Sequence, residues 1–332
     1  MRDIRLARVP LAALPTPVDE VPRLSRHLGC QIYVKRDDLT GLAMGGNKTR
    51  KLEYLVADAI SAGAKTLITA GAPQSNHCRQ TAAAAARMGL RCVLILSGEK
   101  SQAQTSTGNI LLDRLLGAEI VWTEGLGRDE MMDQVLEREK QAGHQPYLIP
   151  YGGSNPIGAA AYAVAMLEFA AQQVDVEWVV FATSSGGTQA GLALGARLAG
   201  LKARLHGISV DKPSSPFRDQ VAELANRTAE KVGADPRIRP EELIVDDRFL
   251  GAGYGKPDAL ELGAINLFAR LEGMLLDPVY TGRAAGGMLS MIRTREIPPG
   301  ARVLFWHTGG TPALWAYSAQ LEAFSVSTRA DI

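Results

Sequence analysis

The chain has 332 residues, enough for about two domains or one large α/β unit. Its 36 basic and 35 acidic side chains nearly cancel, and 46% of its residues are hydrophobic, as in an ordinary globular protein. This balance excludes a nucleic-acid or membrane partner that is attracted by net charge, so a small-molecule ligand is expected.

The cysteine pattern and the first ten residues bear on the cellular compartment of the protein. Cys30, Cys78 and Cys92 are odd in number and lack metal-ligand spacing, which argues against a disulfide framework or a zinc site. Residues 1–10 contain no apolar run of signal-peptide length, and no apolar stretch approaches the roughly 20 residues that span a bilayer. We therefore expect a soluble cytoplasmic protein.

Short apolar segments alternate with helical segments along most of the chain. The predicted strands are residues 31–35, 66–69, 91–96, 119–122, 178–182, 204–210 and 302–306. The predicted helices include residues 48–62, 77–88, 127–142, 158–173 and 257–271. Several strands are almost entirely apolar, as strands covered on both faces are, so the pattern predicts a doubly wound α/β protein with mostly parallel sheets. The tail after Leu321 is expected to be frayed.

Lys48 lies in a glycine-rich loop, residues 41–49, between a predicted strand and a predicted helix. A lysine at a helix start is usually a solvated surface residue. The preceding pair, Gly45 and Gly46, would let another group approach the backbone, and a lysine held there could form a Schiff base if its pKa were lowered. Asn47 breaks the register of the phosphate-binding pattern GxxxxGK[ST].

Three more strand-to-helix loops are rich in small polar residues, and in such sheets ligands bind at these loops. In residues 71–77, Ser75 or Asn76 either caps the next helix or helps to bind a carboxylate, and His77 taken alone is more often structural. Residues 183–191, TSSGGTQAG, predict a phosphate site or a tight turn. Residues 307–311, HTGGT, predict either a tight strand-to-helix turn or a site in which the Thr308 hydroxyl contacts a heteroatom of the ligand. Together the loops indicate a small anionic ligand without identifying it.

Read together, the loops resemble a known family. GGNKTRKLEYL (45–55), QSNHCRQTAA (74–83), SSGGTQAG (184–191), GYGKP (253–257), DPVYTG (277–282) and HTGGTPAL (307–314) occur in this order. The chain is similar, from Leu14 to Tyr317, to the branch of fold-type II pyridoxal-phosphate enzymes that contains D-cysteine desulfhydrase and 1-aminocyclopropane-1-carboxylate (ACC) deaminase. Similarity to this branch implies a fold like that of the tryptophan synthase β-subunit, with two doubly wound α/β domains and the cofactor between them. The large domain would comprise residues 1–54 and 159–332, the small inserted domain residues 55–158, and the protein would be a homodimer.

The resemblance also implies roles for individual residues and no metal. Lys48 would carry pyridoxal 5'-phosphate as a Schiff base and move protons, and Thr308 would face the pyridine nitrogen. The remaining implied roles are a contact of Asn76 with the cofactor's 3-hydroxyl oxygen, a phosphate site at Ser185, Gly186, Gly187 and Thr188, a carboxylate site at Ser75, Asn76 and His77, a substrate contact at Thr281, and candidate acid–base groups at Tyr254 and Tyr280, which would line the substrate pocket.

Two positions bear on the reaction. Ring-opening deaminases of this branch carry Glu and Leu where this chain has Thr281 and Thr308, which is the pattern of D-cysteine desulfhydrases. A hydroxyl at the pyridine nitrogen leaves a weaker electron sink, sufficient when a good β-leaving group departs. The resemblance therefore implies a carbon–sulfur lyase that converts D-cysteine, or a related β-substituted alanine, into pyruvate, ammonia and sulfide.

Four alternatives stay open at this point. The first two are ACC deaminase, which yields 2-oxobutanoate and ammonia, and L-cysteate sulfo-lyase, which releases sulfite. The others are a catalytically silent cofactor-binding protein and a nucleotide-binding protein. Trp306 and Cys78 depart from the family pattern, and we expect them to reshape the pocket for the β-substituent, which leaves the identity of the leaving group open.

Overall fold

Strands and helices alternate along the chain in the computed structural model, which describes residues 4–103, 106–235 and 237–327. The strands are β1 (Val18–Glu20), β2 (Gln31–Arg36), β3 (Thr66–Gly71), β4 (Arg91–Leu96), β5 (Glu119–Trp122), β6 (Pro146–Leu148), β7 (Trp178–Thr183), β8 (Arg204–Ser209), β9 (Ile244–Asp246) and β10 (Arg302–His307). The α-helices are α1 (Pro22–Leu28), α2 (Asn47–Ser61), α3 (Asn76–Met88), α4 (Gly108–Leu115), α5 (Arg128–Gln141), α6 (Pro156–Ala171), α7 (Gly187–Ala199), α8 (Ser214–Lys231), α9 (Ala259–Glu272), α10 (Thr281–Arg293) and α11 (Ser318–Ser327). None of the helices in these ranges is long and apolar enough to cross a bilayer.

The strands form two sheets. The larger has the order β1-β2-β10-β7-β8-β9, in which β1 pairs antiparallel with β2 and the other pairs are parallel. The smaller has the order β5-β4-β3-β6 and is parallel throughout. The predicted α/β class with mostly parallel sheets is confirmed. The smaller sheet takes its strands from residues 66–148, which lie inside the predicted insertion, while the bounds 55 and 158 stay a prediction.

Each predicted strand and helix is present, with its ends within two residues of the prediction. Strands β3 and β7 are buried along their whole length, as their apolar sequences indicated. The sequence patterns missed β1, β6 and β9, since three residues are too few to show a period. Because α11 is helical to Ser327, the expected frayed tail is wrong for residues 322–327, and residues 328–332 lie outside the described chain.

Close packing of α6 and α7 sets the position of the loop that follows β7. A Cβ added to Gly191 would come 2.1 Å from the Ala159 carbonyl oxygen, and one added to Gly195 would come 2.6 Å from that of Ala163. Side chains at these two positions would push α7 away from α6. The glycines therefore let α7, which begins at Gly187 just after β7, pack directly against α6.

A buried polar network lies behind these loops and centres on the fully buried Asp37 carboxylate. Asp37 accepts hydrogen bonds from the Arg50 guanidinium at 2.8 and 2.9 Å, from the Tyr162 hydroxyl at 2.6 Å and from Trp306 Nε1 at 2.9 Å. The Trp306 ring packs against Tyr162 and Phe169 with centroids 6.1 and 6.2 Å apart. Trp306 is therefore a core residue, and the expectation that it shapes the pocket for the β-substituent is wrong.

Candidate active site

The predicted loops meet in one pocket at the carboxyl ends of β2, β3, β7 and β10. In the larger sheet, β10 lies between β2 and β7, which brings three of these loops together. The residues that line the pocket are Asn47, Lys48, Ser75, Asn76, His77, Tyr151, Gly152, Ala182, Thr183, Ser184, Ser185, Gly186, Thr188, Tyr280, Thr308 and Gly309. The structure thus brings together most of the residues that the sequence singled out. Tyr254, Gly187 and Thr281 are not among the lining residues.

Lys48 lies in the first turn of α2. The helix starts after Gly46, whose φ of +124° suits glycine, and a Cβ there would come 3.2 Å from the Thr308 carbonyl oxygen. The Asn47 N–H donates to that same oxygen at 3.0 Å, which joins the loop before α2 to the loop after β10. Lys48 Nζ has no hydrogen-bond or ion-pair partner in the described chain. Burial lowers the pKa of Lys48 to about 8, so a sizeable fraction of the amine is uncharged near neutral pH.

The turn before α7 forms a cradle for an anion. Gly186 has a φ of +87°, and the first N–H groups of α7 point out of the helix with its positive dipole end. Gly187 donates its N–H to Ser154 Oγ at 3.1 Å. A Cβ on Gly187 would come 2.6 Å from Ser154 Oγ and 2.9 Å from Lys51 Nζ, so its missing side chain makes room for both groups. Thr188 accepts from Asn47 Nδ2 at 3.2 Å.

Lys51 is a functional candidate that the sequence analysis missed. Its Nζ is buried beside this cradle and donates to the Gly152 carbonyl oxygen at 3.0 Å. Burial, followed by the charge of Lys48, lowers the pKa of Lys51 well below its ordinary value. A phosphate dianion in the cradle would stabilise its charged form. The available signal was spacing, because Lys48 and Lys51 are three residues apart and so lie on one helix face.

The position of Ser75 confirms the N-cap interpretation and is compatible with the carboxylate-binding one, which stays a prediction. It is the N-cap of α3 and accepts from the Cys78 N–H at 3.2 Å, which leaves its own O–H free to donate into the pocket. Cys78 itself is buried in the core cluster on the smaller sheet and does not line the pocket, so its expected effect on the β-substituent is wrong.

The His77 imidazole is buried and neutral, and its two ring nitrogens have different surroundings. Its Nε2 lies 2.9 Å from Thr69 Oγ1, whose single proton goes to the Ile149 carbonyl oxygen at 2.9 Å. This direction of the Thr69 hydroxyl fits the tautomer in which His77 Nε2 is the donor and Nδ1 carries no proton; Nδ1 has no hydrogen-bond partner among the described residues. Burial, with the charges of Lys48 and Lys51, lowers the pKa of His77 well below its usual range. Any donation to a carboxylate then falls to the backbone N–H of His77.

Tyr280, which lines the pocket, is paired with Tyr254, which does not line it. The hydroxyls of Tyr254 and Tyr280 are 2.7 Å apart, and the rings pack edge to face with centroids 5.9 Å apart. Burial is the main cause that raises the pKa of both phenols, so both stay protonated at neutral pH. Tyr151, which the sequence analysis missed, adds a second phenol to the pocket wall, and the Arg128 guanidinium lies 4.5 Å from the centre of its ring.

The two threonines that distinguish reactions within the family lie in different places. Thr308 lines the pocket, and none of the described lining residues carries a carboxylate. Thr281 begins α10, where its hydroxyl donates to Asp277 Oδ1 at 2.7 Å and accepts from the Asp277 N–H at 2.7 Å. The side chain of Thr281 thus holds the turn that carries Tyr280, and its direct contact with substrate stays a prediction.

Comparisons with known proteins agree with this geometry. A family model described as "Pyridoxal-phosphate dependent enzyme" matches residues 9–309. A D-cysteine desulfhydrase of Klebsiella pneumoniae (strain 342) is 43% identical over 324 residues, which cover 96% of this chain and 98% of the relative. The crystal structure of an ACC deaminase homologue superimposes with a TM-score of 0.89 at 37% identity and covers 96% of each chain. The processed form of threonine deaminase isoform 2 from Solanum lycopersicum shares the fold, with a TM-score of 0.69 at 16% identity over 95% of this chain and 84% of that one.

The chain belongs to the family of pyridoxal-phosphate-dependent enzymes, as the sequence resemblance implied. The pocket suits that cofactor. An unpartnered amine of lowered pKa is available for a Schiff base, and a glycine cradle beside a buried cation and a helix N-terminus suits a phosphate.

The lowered pKa of Lys48 predicts how the apoenzyme takes up cofactor. Only the uncharged amine attacks an aldehyde, so the rate of Schiff-base formation should rise with pH and level off above a midpoint near 8. Stopped-flow absorbance of apoenzyme mixed with pyridoxal phosphate at a series of pH values measures this midpoint. A midpoint near 10.5, the ordinary value for lysine, would contradict the prediction.

Proposed function

We propose that the chain is a carbon–sulfur lyase that catalyses α,β-elimination from D-cysteine, or a related β-substituted alanine, to give pyruvate, ammonia and sulfide. The main support is the pocket itself, in which a lysine amine of lowered pKa lies among hydroxyl-bearing side chains and none of the described lining residues carries a carboxylate. A D-cysteine desulfhydrase at 43% identity over nearly the whole chain supports the same reaction.

Binding residues hold the substrate in this proposal. The Ser75 hydroxyl and the free N–H groups at the start of α3 receive the substrate carboxylate, because both are donors at a positive helix end. Ser185, Gly186 and Thr188, with Lys51, hold the cofactor phosphate. Thr308 meets the pyridine nitrogen with a hydroxyl, which accepts or donates without forcing that nitrogen to stay protonated.

Lys48 is the group that removes the α-proton. Pyridoxal phosphate, when bound, supplies the electron sink that stabilises negative charge at the substrate Cα. A base near neutral pH needs a pKa close to the working pH, and Lys48 Nζ meets this requirement. Tyr254 and Tyr280 do not, because their raised pKa values keep both phenols protonated. The α-proton therefore passes to Lys48 Nζ.

Tyr280 and Lys48 have different roles toward the leaving group: Tyr280 donates a hydrogen bond to it, and Lys48 donates a proton. The electrons of the Cβ–S bond depart with sulfur, and a protonated Tyr280 donates a hydrogen bond to it. Since the pKa of Tyr280 is raised further by Tyr254, the phenol keeps its proton. The Lys48 ammonium that the first step produced is the stronger acid and returns a proton to sulfide. Water then hydrolyses the released three-carbon enamine to pyruvate and ammonia.

A substrate panel tests the proposed function. Purified enzyme with bound cofactor is incubated with D-cysteine, L-cysteine, ACC and L-cysteate, and the products are measured as 2-oxo acid, sulfide and sulfite. Equal amounts of pyruvate and sulfide from D-cysteine are expected to exceed every other product. Dominant 2-oxobutanoate from ACC would contradict the proposal in favour of a deaminase, the activity suggested by the structural neighbour. Dominant sulfite from L-cysteate would make the protein a sulfo-lyase.

The organisation of the protein is part of the same proposal. Residues 55–158 form a small inserted domain, residues 1–54 and 159–332 form the large one, and the enzyme is a cytoplasmic homodimer. Three buried free cysteines, Cys30, Cys78 and Cys92, support a reducing compartment. Sedimentation of the holoenzyme tests the oligomeric state.

A further inference from the structure

Arg79, on α3, determines the orientation of two buried amides. Its Nη1 donates to Asn76 Oδ1 at 3.2 Å and to Asn109 Oδ1 at 3.0 Å, and its Nη2 donates to the Gly45 carbonyl oxygen at 2.7 Å. A guanidinium has donors and no acceptor, so the amide atoms that face it must be oxygens. Hydrogen bonding to the Arg79 guanidinium therefore determines which way the amides of Asn76 and Asn109 point.

Asn109, on α4, provides the second donor to the Asn76 amide oxygen. With its oxygen turned to Arg79, its Nδ2 donates to Asn76 Oδ1 at 3.0 Å and to the Gln74 carbonyl oxygen at 2.9 Å. Its backbone N–H donates to Gln74 Oε1 at 2.8 Å. Asn76 Oδ1 thus accepts two hydrogen bonds from buried donors. Asn76 Nδ2 has no partner within the described residues, and Asn76 lines the pocket.

The surroundings of Arg79 argue against a role in stability alone. Its three acceptors are neutral amide or peptide oxygens, although the side chain is fully buried. The Asp113 carboxylate lies near enough to interact with its charge, but neither carboxylate oxygen has a hydrogen-bond partner among the described residues. A buried cation that forms no hydrogen-bonded ion pair is costly, so a contribution to stability does not by itself explain an arginine at this position.

We propose that Arg79 and Asn109 are positioning residues that turn the Asn76 amide so that Nδ2 donates into the pocket, toward the ring oxygen of the cofactor. This inference rests on the proposed function, since it assigns the contact of Asn76 to bound pyridoxal phosphate. Without Arg79 and Asn109 the amide can rotate by half a turn and present Oδ1 to an oxygen that carries negative charge. Arg79 also joins Asn76 to Gly45, three residues before Lys48, so one guanidinium aligns the donor with the loop that carries the Schiff-base lysine.

The test uses a double-mutant cycle on cofactor binding. Apoenzyme carrying Arg79→Met, Asn76→Ala or both substitutions is titrated with pyridoxal phosphate, and the dissociation constant is read from the visible band. Arg79→Met alone is expected to weaken binding about ten- to hundredfold, the value of a hydrogen bond to a charged group. In the Asn76→Ala background it should have almost no further effect, because Arg79 acts through Asn76. Additive losses in the double variant would overturn the proposal.

A second readout separates positioning from general destabilisation. A donor at the ring oxygen favours proton loss from the Schiff-base nitrogen, so Arg79→Met should raise the pH midpoint of the visible band by about one unit. Arg79→Lys, which keeps a donor, should restore part of the shift. Arg87→Met, the same substitution at an exposed position of α3, is the matched control and should leave the midpoint unchanged. A wild-type midpoint in Arg79→Met would also overturn the proposal.

Misfolding of Arg79→Met and a missing visible band in the wild-type enzyme have different consequences for the proposal. If Arg79→Met does not fold, Asn109→Ala takes its place in the double-mutant cycle with Asn76→Ala. Asn109→Ala removes one of the two donors to Asn76 and no charge, and additive losses in that cycle would overturn the positioning role. If wild-type apoenzyme shows no visible band with pyridoxal phosphate, the proposed function fails, and with it the role of Asn76. A normal wild-type band with no response to Arg79 or Asn109 refutes the positioning role alone.

Discussion

Lys48→Ala is expected to lower kcat/KM for D-cysteine by about 10³- to 10⁴-fold and to abolish the borohydride-stable attachment of pyridoxal phosphate. The substitution removes both the Schiff-base amine and the base with a pKa near 8, and each function alone accounts for about 10²-fold or more. The measurements are steady-state pyruvate formation and the mass of the reduced, proteolysed enzyme. The structure should tolerate the change, because the described chain offers Lys48 Nζ no partner whose hydrogen bond would be lost.

Lys65→Ala provides the matched control, because Lys65 is exposed and directly precedes β3, at the end of that strand opposite the pocket loops. It should keep wild-type activity and the reduced adduct. A reduced adduct that survives in Lys48→Ala would contradict the assignment. Peptide mapping would then show whether the neighbouring Lys51 amine had been the true attachment site.

Asp37→Ala is expected to lower the free energy of unfolding by about 3–5 kcal/mol, the cost of breaking a buried ion pair by removing one partner. Arg50 would keep a buried charge with only Glu168 to balance it, and the donors of Tyr162 and Trp306 would lose their acceptor. Denaturant unfolding followed by tryptophan fluorescence measures the change, and Trp306 reports on the site directly.

The control for Asp37 is Asp19→Ala, which removes a partly exposed carboxylate that pairs with Arg36. Surface pairs of this kind contribute about 0–1 kcal/mol, so the unfolding curve should move little. Equal effects of the two substitutions would refute the central role of Asp37.

The pH dependence of stability gives a second check on Asp37. Burial by itself would raise the pKa of Asp37, but the Arg50 charge and the hydrogen bonds from Arg50, Tyr162 and Trp306 together lower it. A carboxyl whose folded pKa is lowered stabilises the protein above its unfolded pKa, about 3.9, and this contribution is lost as the pH falls through the folded value. The gap in stability between wild type and Asp37→Ala should therefore narrow below about pH 4.

Local patterns predicted most elements and the grouping of the loops. The strand after Gly63 and the strand before Ser184 were recognisable because both are continuously apolar and bounded by turn residues. Lys48, Ser75 and Thr308 could be singled out because each follows a strand in a loop of small residues, and such loops meet at one edge of a parallel sheet.

Other site features depended on contacts between residues far apart in the chain. Trp306 looked like a pocket residue because it precedes His307, yet adjacent side chains of a strand point to opposite faces, and Trp306 reaches Asp37 in the core. Lys51 and Arg79 were not predicted to take part, because buried cations are uncommon and their partners, Gly152 and Asn109, are distant in sequence.

By itself, the sequence determined the α/β class, the loops that form the pocket and, through its resemblance to a family, the cofactor; that Lys48 carries this cofactor is a prediction of the same resemblance. Only the tertiary structure decided which side chains face the pocket, which tautomer His77 adopts and which way the Asn76 amide points. The physical reason is that strand and helix periods are local, while a buried hydrogen bond is set by whichever donor or acceptor the fold places opposite. Lys48 is a surface-type residue by its local sequence, and only burial among distant loops lowers the pKa of its amine.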